Sequence, residues 1–239
     1  MKGWFGMKRR IGIVYAMRQE AGKFLPGTPP MNRHGGVEFW TKFGGDLVIA
    51  VGGVGKVNSA MATQAMIDVY DPGIIINAGI CGCVEPGKVG NVYLARDLVQ
   101  HDVDTSAIGD LPGFVSTIKV TYFEATALRR IKKLTSGTYK PEEYEEVRLA
   151  TGDWFGEAGD RLNSIKLQYK PYLLDMEGAA VAQVCMRNAV EFLAIKSVSD
   201  TLADGFECEY EREKPLAIAN LSYAVMDIVD RIRQEDKIR

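Results

Sequence analysis

Ile74-Ile75-Ile76-Asn77-Ala78-Gly79 is the stretch on which the fold turns. A continuous apolar run leaves no polar face, so the strand it forms belongs inside a sheet covered on both sides. Asp71-Pro72-Gly73 precedes it and stops a helix read over Val57–Ile67, a run of small and apolar helix formers. After the isoleucines, Ala78-Gly79-Ile80-Cys81-Gly82-Cys83 reads as a turn at the strand's carboxyl end. Ligands of α/β sheets gather at such ends, and small side chains let backbone amides approach a flat ligand.

On either side the pattern continues. Arg10–Ala16 reads as a buried first strand, and Val37–Lys42 with Asp46–Val51 as a hairpin around Phe43-Gly44-Gly45. Val89–Leu94, Asp97–His101, Val147–Thr151, Leu173–Met176 and Phe192–Val198 read as further strands. Phe123–Thr135, Glu177–Met186 and Lys214–Arg233 read as helices. The early hairpin breaks a strict βαβ series. The expected fold is therefore α/β, a three-layer αβα sandwich with a mixed, partly barrel-like central sheet. Residues 1–10 read as an N-terminal extension and 11–239 as a single domain, since no linker-like stretch divides them.

A chain of 239 residues, 46% hydrophobic and 25% charged, can bury a sizeable core. A net charge of -2 and a pI near 5.8 give no broad basic field for nucleic acid. No apolar run reaches membrane-spanning length, and Met1–Arg10 lacks the apolar core of a signal peptide. Four cysteines (Cys81, Cys83, Cys185, Cys208) do not make a disulfide framework, and Cys81-Gly82-Cys83 is too tightly spaced for a zinc or redox pair. The expectation is a cytoplasmic, reduced protein with no metal site, no nucleic-acid partner and no membrane partner.

Gly52-Gly53-Val54-Gly55-Lys56 invites a phosphate-loop reading that its spacing does not support. Val57 follows the lysine where Ser or Thr belongs, and Asn58 occupies the third glycine of G-x-G-x-x-G. It reads instead as a tight strand-to-helix turn.

Glu20, Glu177 and Asp200 each follow an apolar strand run. If those strands run the same way, the acids meet at one edge of the sheet. A helix dipole would favour each acid singly, but clustered carboxylates repel, and the set of three favours a site. Metal-free cleavage of a glycosidic bond suits such a set. One acid protonates the leaving base, one takes a proton from water, and one holds the sugar hydroxyls and its developing positive charge.

The ordered fragments Ile11-Gly12-Ile13-Val14-Tyr15-Ala16-Met17-Arg18-Gln19-Glu20, Gly53-Val54-Gly55-Lys56-Val57 and Pro72–Gly82 carry a resemblance. So do His101-Asp102-Val103-Asp104, Thr151-Gly152-Asp153, Asp175-Met176-Glu177-Gly178-Ala179-Ala180 and Ser197-Val198-Ser199-Asp200. Together they resemble the purine nucleoside phosphorylase superfamily, and within it most closely the 5′-methylthioadenosine/S-adenosylhomocysteine nucleosidases. The resemblance runs from Ile11 to the final helix. It implies that Glu20 activates the attacking water and that Glu177 binds the ribose hydroxyls, with Met176 beneath the sugar. Asp200 would assist protonation of the purine at N7, and Phe155 would stack on the base. Val54, Ala78, Gly79, Ile80, Cys81, Gly82, Asp175, Lys196 and Ser199 complete the implied substrate site, and Ile108 and Pro112 offer apolar lining for a 5′ substituent. The implied substrate is a small purine nucleoside, no cofactor is needed, and a homodimer or larger assembly is implied.

Phosphorylases of this superfamily carry arginine two places before the glycine of Asn77-Ala78-Gly79 and serine just after it. This chain has Asn77 and Ile80 there, neither of which supplies the charge or donors of a buried phosphate site. Water is the expected nucleophile. Ile80 and Lys196 stand where bacterial nucleosidases commonly have serine and arginine. A futalosine hydrolase, a phosphorylase and a nucleoside-binding protein without turnover are the alternatives.

Overall fold

The isoleucine run does form a strand, but it does not stop where the small residues begin. In the computed structural model, which describes residues 10–25, 27–84, 88–134, 144–156, 159–202 and 206–238, β5 spans Ile74–Cys83 and is buried along nearly its whole length. The turn expected at Ala78–Cys83 is therefore strand. Tertiary pairing overrides the weak strand propensity of its glycines. β10 (Glu191–Asp200) runs parallel along one edge from Ile74 to Gly82. On the other edge β1 (Ile11–Tyr15) pairs with Ile74–Asn77, and β9 (Leu173–Asp175) pairs antiparallel with Gly82–Cys83.

β10 also pairs antiparallel with β6 (Val92–Gln100), β6 parallel with β8 (Glu145–Thr151), and β8 parallel with β9. Five strands thus close into a ring, which bears out the mixed, partly barrel-like sheet. From β5 an open wing continues through β1, β4 (Leu47–Val51), β3 (Val37–Lys42) and β2 (Asn32–His34). The β3–β4 hairpin is as expected. β2, a short exposed strand, was not foreseen.

Helices cover both faces. α2 (Lys56–Tyr70) packs on β1 and β4 and against α5 (Gly178–Arg187), which lies over β6, β8 and β10. α6 (Phe206–Ile238) packs on β10 and β5 and meets α1 (Arg18–Ala21) and α3 (Leu128–Leu134). The expected helix over Phe123–Thr135 is split, because Tyr122–Glu124 forms β7 on the edge of β6 before α3 begins. The two strands expected between Val89 and His101 are one strand with a register slip between Ala95 and Asp97. α4 (Asp160–Tyr169) was not anticipated. The N-terminal extension read over 1–10 lies, except for Arg10, outside the described residues. Among the described residues no helix is long and apolar enough to cross a membrane.

Candidate active site

β1 pairs with β5 only as far as Asn77, and β9 joins from Gly82. In the interval the Ile80 N–H donates to Glu20 Oε1 at 3.0 Å. Glu20 stands in the single turn of α1 that follows β1, and its Oε2 accepts the Met17 N–H at 2.8 Å. It is 3% exposed. Burial pushes its carboxyl up, against the opposing pull of Lys196 and of the amides that bind it.

Glu177 follows β9 and caps the start of α5. Its Oε1 accepts the Gly55 N–H at 2.8 Å. Burial first, then the neighbouring Asp175, push this carboxyl up to about 7. Asp200 ends β10, is 1% exposed, and lies 2.8 Å from the Ser199 hydroxyl that donates to its Oδ2.

A buried ion pair adjoins these acids. Lys196 Nζ is 2.8 Å from Asp175 Oδ2, both side chains being 1% exposed. Asp175 Oδ1 accepts from Thr151 Oγ1 at 2.5 Å, and Oδ2 also accepts the Gly178 N–H at 2.8 Å. The Ala179 N–H donates in turn to Thr151 Oγ1 at 2.9 Å. Burial works against the Lys196 charge, but Asp175, Glu177 and Glu20 overcome it and hold the ammonium above its ordinary range.

β5 and β10 run opposite to β6, β8 and β9, so Glu177 does not arrive on a strand directed like those of Glu20 and Asp200. This corrects the expectation of like-directed strand ends. Closure of the ring, not parallel alignment, carries the three acids to one cavity of about 370 Å3. Of the residues singled out by sequence, Val54, Ile80, Cys81, Gly82 and Phe155 also line it. Asp175, Met176 and Ser199 do so as well. Phe155 is 54% exposed and meets Tyr210 edge-on, with ring centroids 5.4 Å apart.

Five residues fall elsewhere. Ala78 is buried in β5 off the cavity surface, and Lys196 lies behind the lining. Gly79 lies beneath Glu20: a Cβ there would stand 2.9 Å from Glu20 Oε1 and 3.2 Å from Lys196 Nζ. Ile108, 80% exposed, and Pro112 are not on the wall of the cavity within this chain. Sequence reading missed Ala16, Met17, Trp154, Gly156, Leu174, Leu202 and Tyr210, all of which line it. Ala16 and Met17 precede Glu20, and Trp154 and Gly156 flank Phe155, so proximity in sequence was an available signal. Tyr210 gave none, because its helix begins well before the stretch read as helical.

Apolar and aromatic walls with buried carboxylates among them suit a flat, polar-edged ring joined to a group that becomes positively charged. A family model described as the phosphorylase superfamily matches residues 10–230. The 5′-methylthioadenosine/S-adenosylhomocysteine nucleosidase of Oceanobacillus iheyensis is 30% identical over 234 residues, covering 93% of this chain and 99% of that protein. The solved structure of the enzyme of the same description from Helicobacter pylori, complexed with a pyrrolidin-3-ol that carries an aminopyrrolopyrimidine, superposes with a TM-score of 0.85 at 25% identity. It covers 94% of this chain and 99% of its own. Futalosine hydrolase of the same organism gives a TM-score of 0.84 at 26% identity, covering 94% and 98%. The resemblance read from the motifs holds: the chain belongs to the phosphorylase superfamily.

Proposed function

We propose that this cavity hydrolyses the N-glycosidic bond of a purine nucleoside, 5′-methylthioadenosine or S-adenosylhomocysteine, and releases adenine. The observation that carries the reading is the convergence of Glu20, Glu177 and Asp200 on one cavity. Asp200, its Oδ2 oriented by Ser199, assists protonation of the base. Glu177, held by the Gly55 N–H, binds the ribose hydroxyls. Glu20, oriented by two backbone donors and buried so that it keeps its basicity, takes the proton of water. Gly79, which has no side chain, leaves Glu20 Oε1 and Lys196 Nζ the room they occupy beneath the cavity. Acid–base help of this kind is worth about 100- to 10,000-fold per group.

Water is favoured over phosphate by what stands at the anion positions. Asn77 is 1% exposed and donates to Val14 O at 3.3 Å, and Ile80 offers no hydroxyl. The family match and the named relatives support the same enzyme class. The similarity to futalosine hydrolase keeps that substrate as the second reading. The protein acts as a homodimer in the cytoplasm. Exposed apolar side chains at Val57, Ile108 and Leu111 (78%, 80% and 75%) support the dimer, with Ile108 and Pro112 serving a partner's 5′ pocket. The buried free thiols of Cys81 and Cys185 support a reducing compartment.

The test is purine release from methylthioadenosine, S-adenosylhomocysteine, adenosine, inosine and futalosine, with and without phosphate. Adenine release that is indifferent to phosphate is expected. Release that requires phosphate, or none from any nucleoside, overturns the proposal.

A further inference from the structure

The Gly52–Lys56 turn matches no phosphate loop, yet its backbone is aimed at an anion. Gly55, at a φ of 99°, directs its N–H to Glu177 Oε1. A glycine-rich turn has little stiffness of its own, so its aim depends on what grips it. The Lys56 N–H donates to Asp153 Oδ1 at 2.8 Å. Lys56 Nζ donates to Asp102 Oδ1 at 2.6 Å and to Gln100 Oε1 at 3.1 Å. The Asp153 N–H donates to Asp102 Oδ2 at 3.0 Å.

These bonds close a ring across the loops that follow β4, β6 and β8. The Lys56 and Asp102 side chains are each 19% exposed, drier than an ordinary surface pair. Burial raises the Asp102 carboxyl, but Lys56 and the Asp153 amide outweigh it and hold the group below its ordinary range. Trp154 and Phe155 follow Asp153 directly, so the ring that grips the glycine turn also fixes the start of the aromatic wall. Two motifs singled out by sequence, His101–Asp104 and Thr151–Asp153, thereby gain a common use.

We infer that Lys56, Asp102 and Asp153 are positioning residues: they form a clasp that holds the Gly55 N–H against Glu177. The inference rests on the proposed hydrolysis for its effect on rate, but not for the clasp itself. A donor to an ionised carboxylate is worth roughly ten- to a hundredfold. Asp153→Ala and Lys56→Met should each lower kcat/KM for adenine release by about tenfold or more. Lys56→Arg should stay within about threefold of the parent. In a Glu177→Gln background, Asp153→Ala should cost under about twofold, because the group it orients has lost its charge.

Hydrogen exchange at the Gly55 amide should speed by about tenfold or more in both variants, whether or not any substrate is turned over. An equal cost of Asp153→Ala in both backgrounds, or unchanged Gly55 exchange in folded Lys56→Met, overturns the clasp. A parent protein that releases no purine, yet shows the exchange change, overturns the hydrolase reading and leaves the clasp standing.

Discussion

Replacing Glu177 by Gln should make the protein more stable at pH 8 while removing most of its activity. The amide has the shape of the carboxylate, and its oxygen can still accept the Gly55 N–H. What disappears is a buried negative charge, 7% exposed, beside Asp175. Burial and Asp175 push the Glu177 carboxyl up to about 7 from an ordinary 4.5, so between those values the folded protein holds a proton that the unfolded chain has released. Stability from this group is therefore full below the unfolded value, falls as pH rises between the two, and stays low above. At about 1.36 kcal/mol per pH unit, that gap amounts to about 3 kcal/mol. Glutamine carries no such penalty. The variant should gain on the order of 2–3 kcal/mol at pH 8 and little at pH 4, and its Tm should rise roughly 4–12 °C at the higher pH. Urea unfolding of both proteins at the two pH values measures the gain. A variant less stable than its parent at pH 8, or a difference equal at both pH values, would refute the reasoning. Adenine release should fall by about 100-fold or more.

Lys196→Met removes the cation that faces Asp175 Oδ2 in a fully buried pair and should cost about 3–5 kcal/mol, read as a lower urea midpoint; a loss under about 1 kcal/mol would mean the pair is not structural. Gly79→Ala would press a methyl to 2.9 Å from Glu20 Oε1. It should cost about 1–3 kcal/mol of stability and roughly 100-fold in release; undiminished release would mean that Glu20 is not the base. Val57→Asp alters an exposed side chain and should leave the subunit folded while lowering the mass seen by sedimentation. An unchanged mass would remove Val57 from the proposed dimer interface.

The apolar strands were legible because their periodicity is local. Ile74–Ile76 and Ile11–Tyr15 announce burial without reference to anything else in the chain. The ring was not legible in the same way. Its decisive pairings, Glu191–Asp200 with β5 and Leu173–Leu174 with Gly82–Cys83, join distant segments, and the small residues of β5 carry turn propensity until those partners override it. The apolar spacing that marks α6 starts at Leu216, so the sequence suggests a helix only from Lys214. The helix begins at Phe206 and carries Pro215 inside, so Tyr210 escaped notice. The three acids could be named from their places after apolar runs. The Lys196–Asp175 pair behind them joins β9 to β10, a proximity that only the closed ring creates.

That ring also sets a timetable for the chain's birth. Of the strands described, β10 is the last to leave the ribosome, and it brings both Lys196 and Asp200. Until residues 191–200 emerge, nearly one whole edge of β5 and the edge of β6 at Val92–Leu94 wait without their partner. Such edges invite foreign strands, and pairing of segments so far apart is slow. A nascent or truncated chain that stops short of β10 would hold two acids without the third and Asp175 without its cation. Catalytic competence and protection from aggregation therefore arrive together, with the same ten residues.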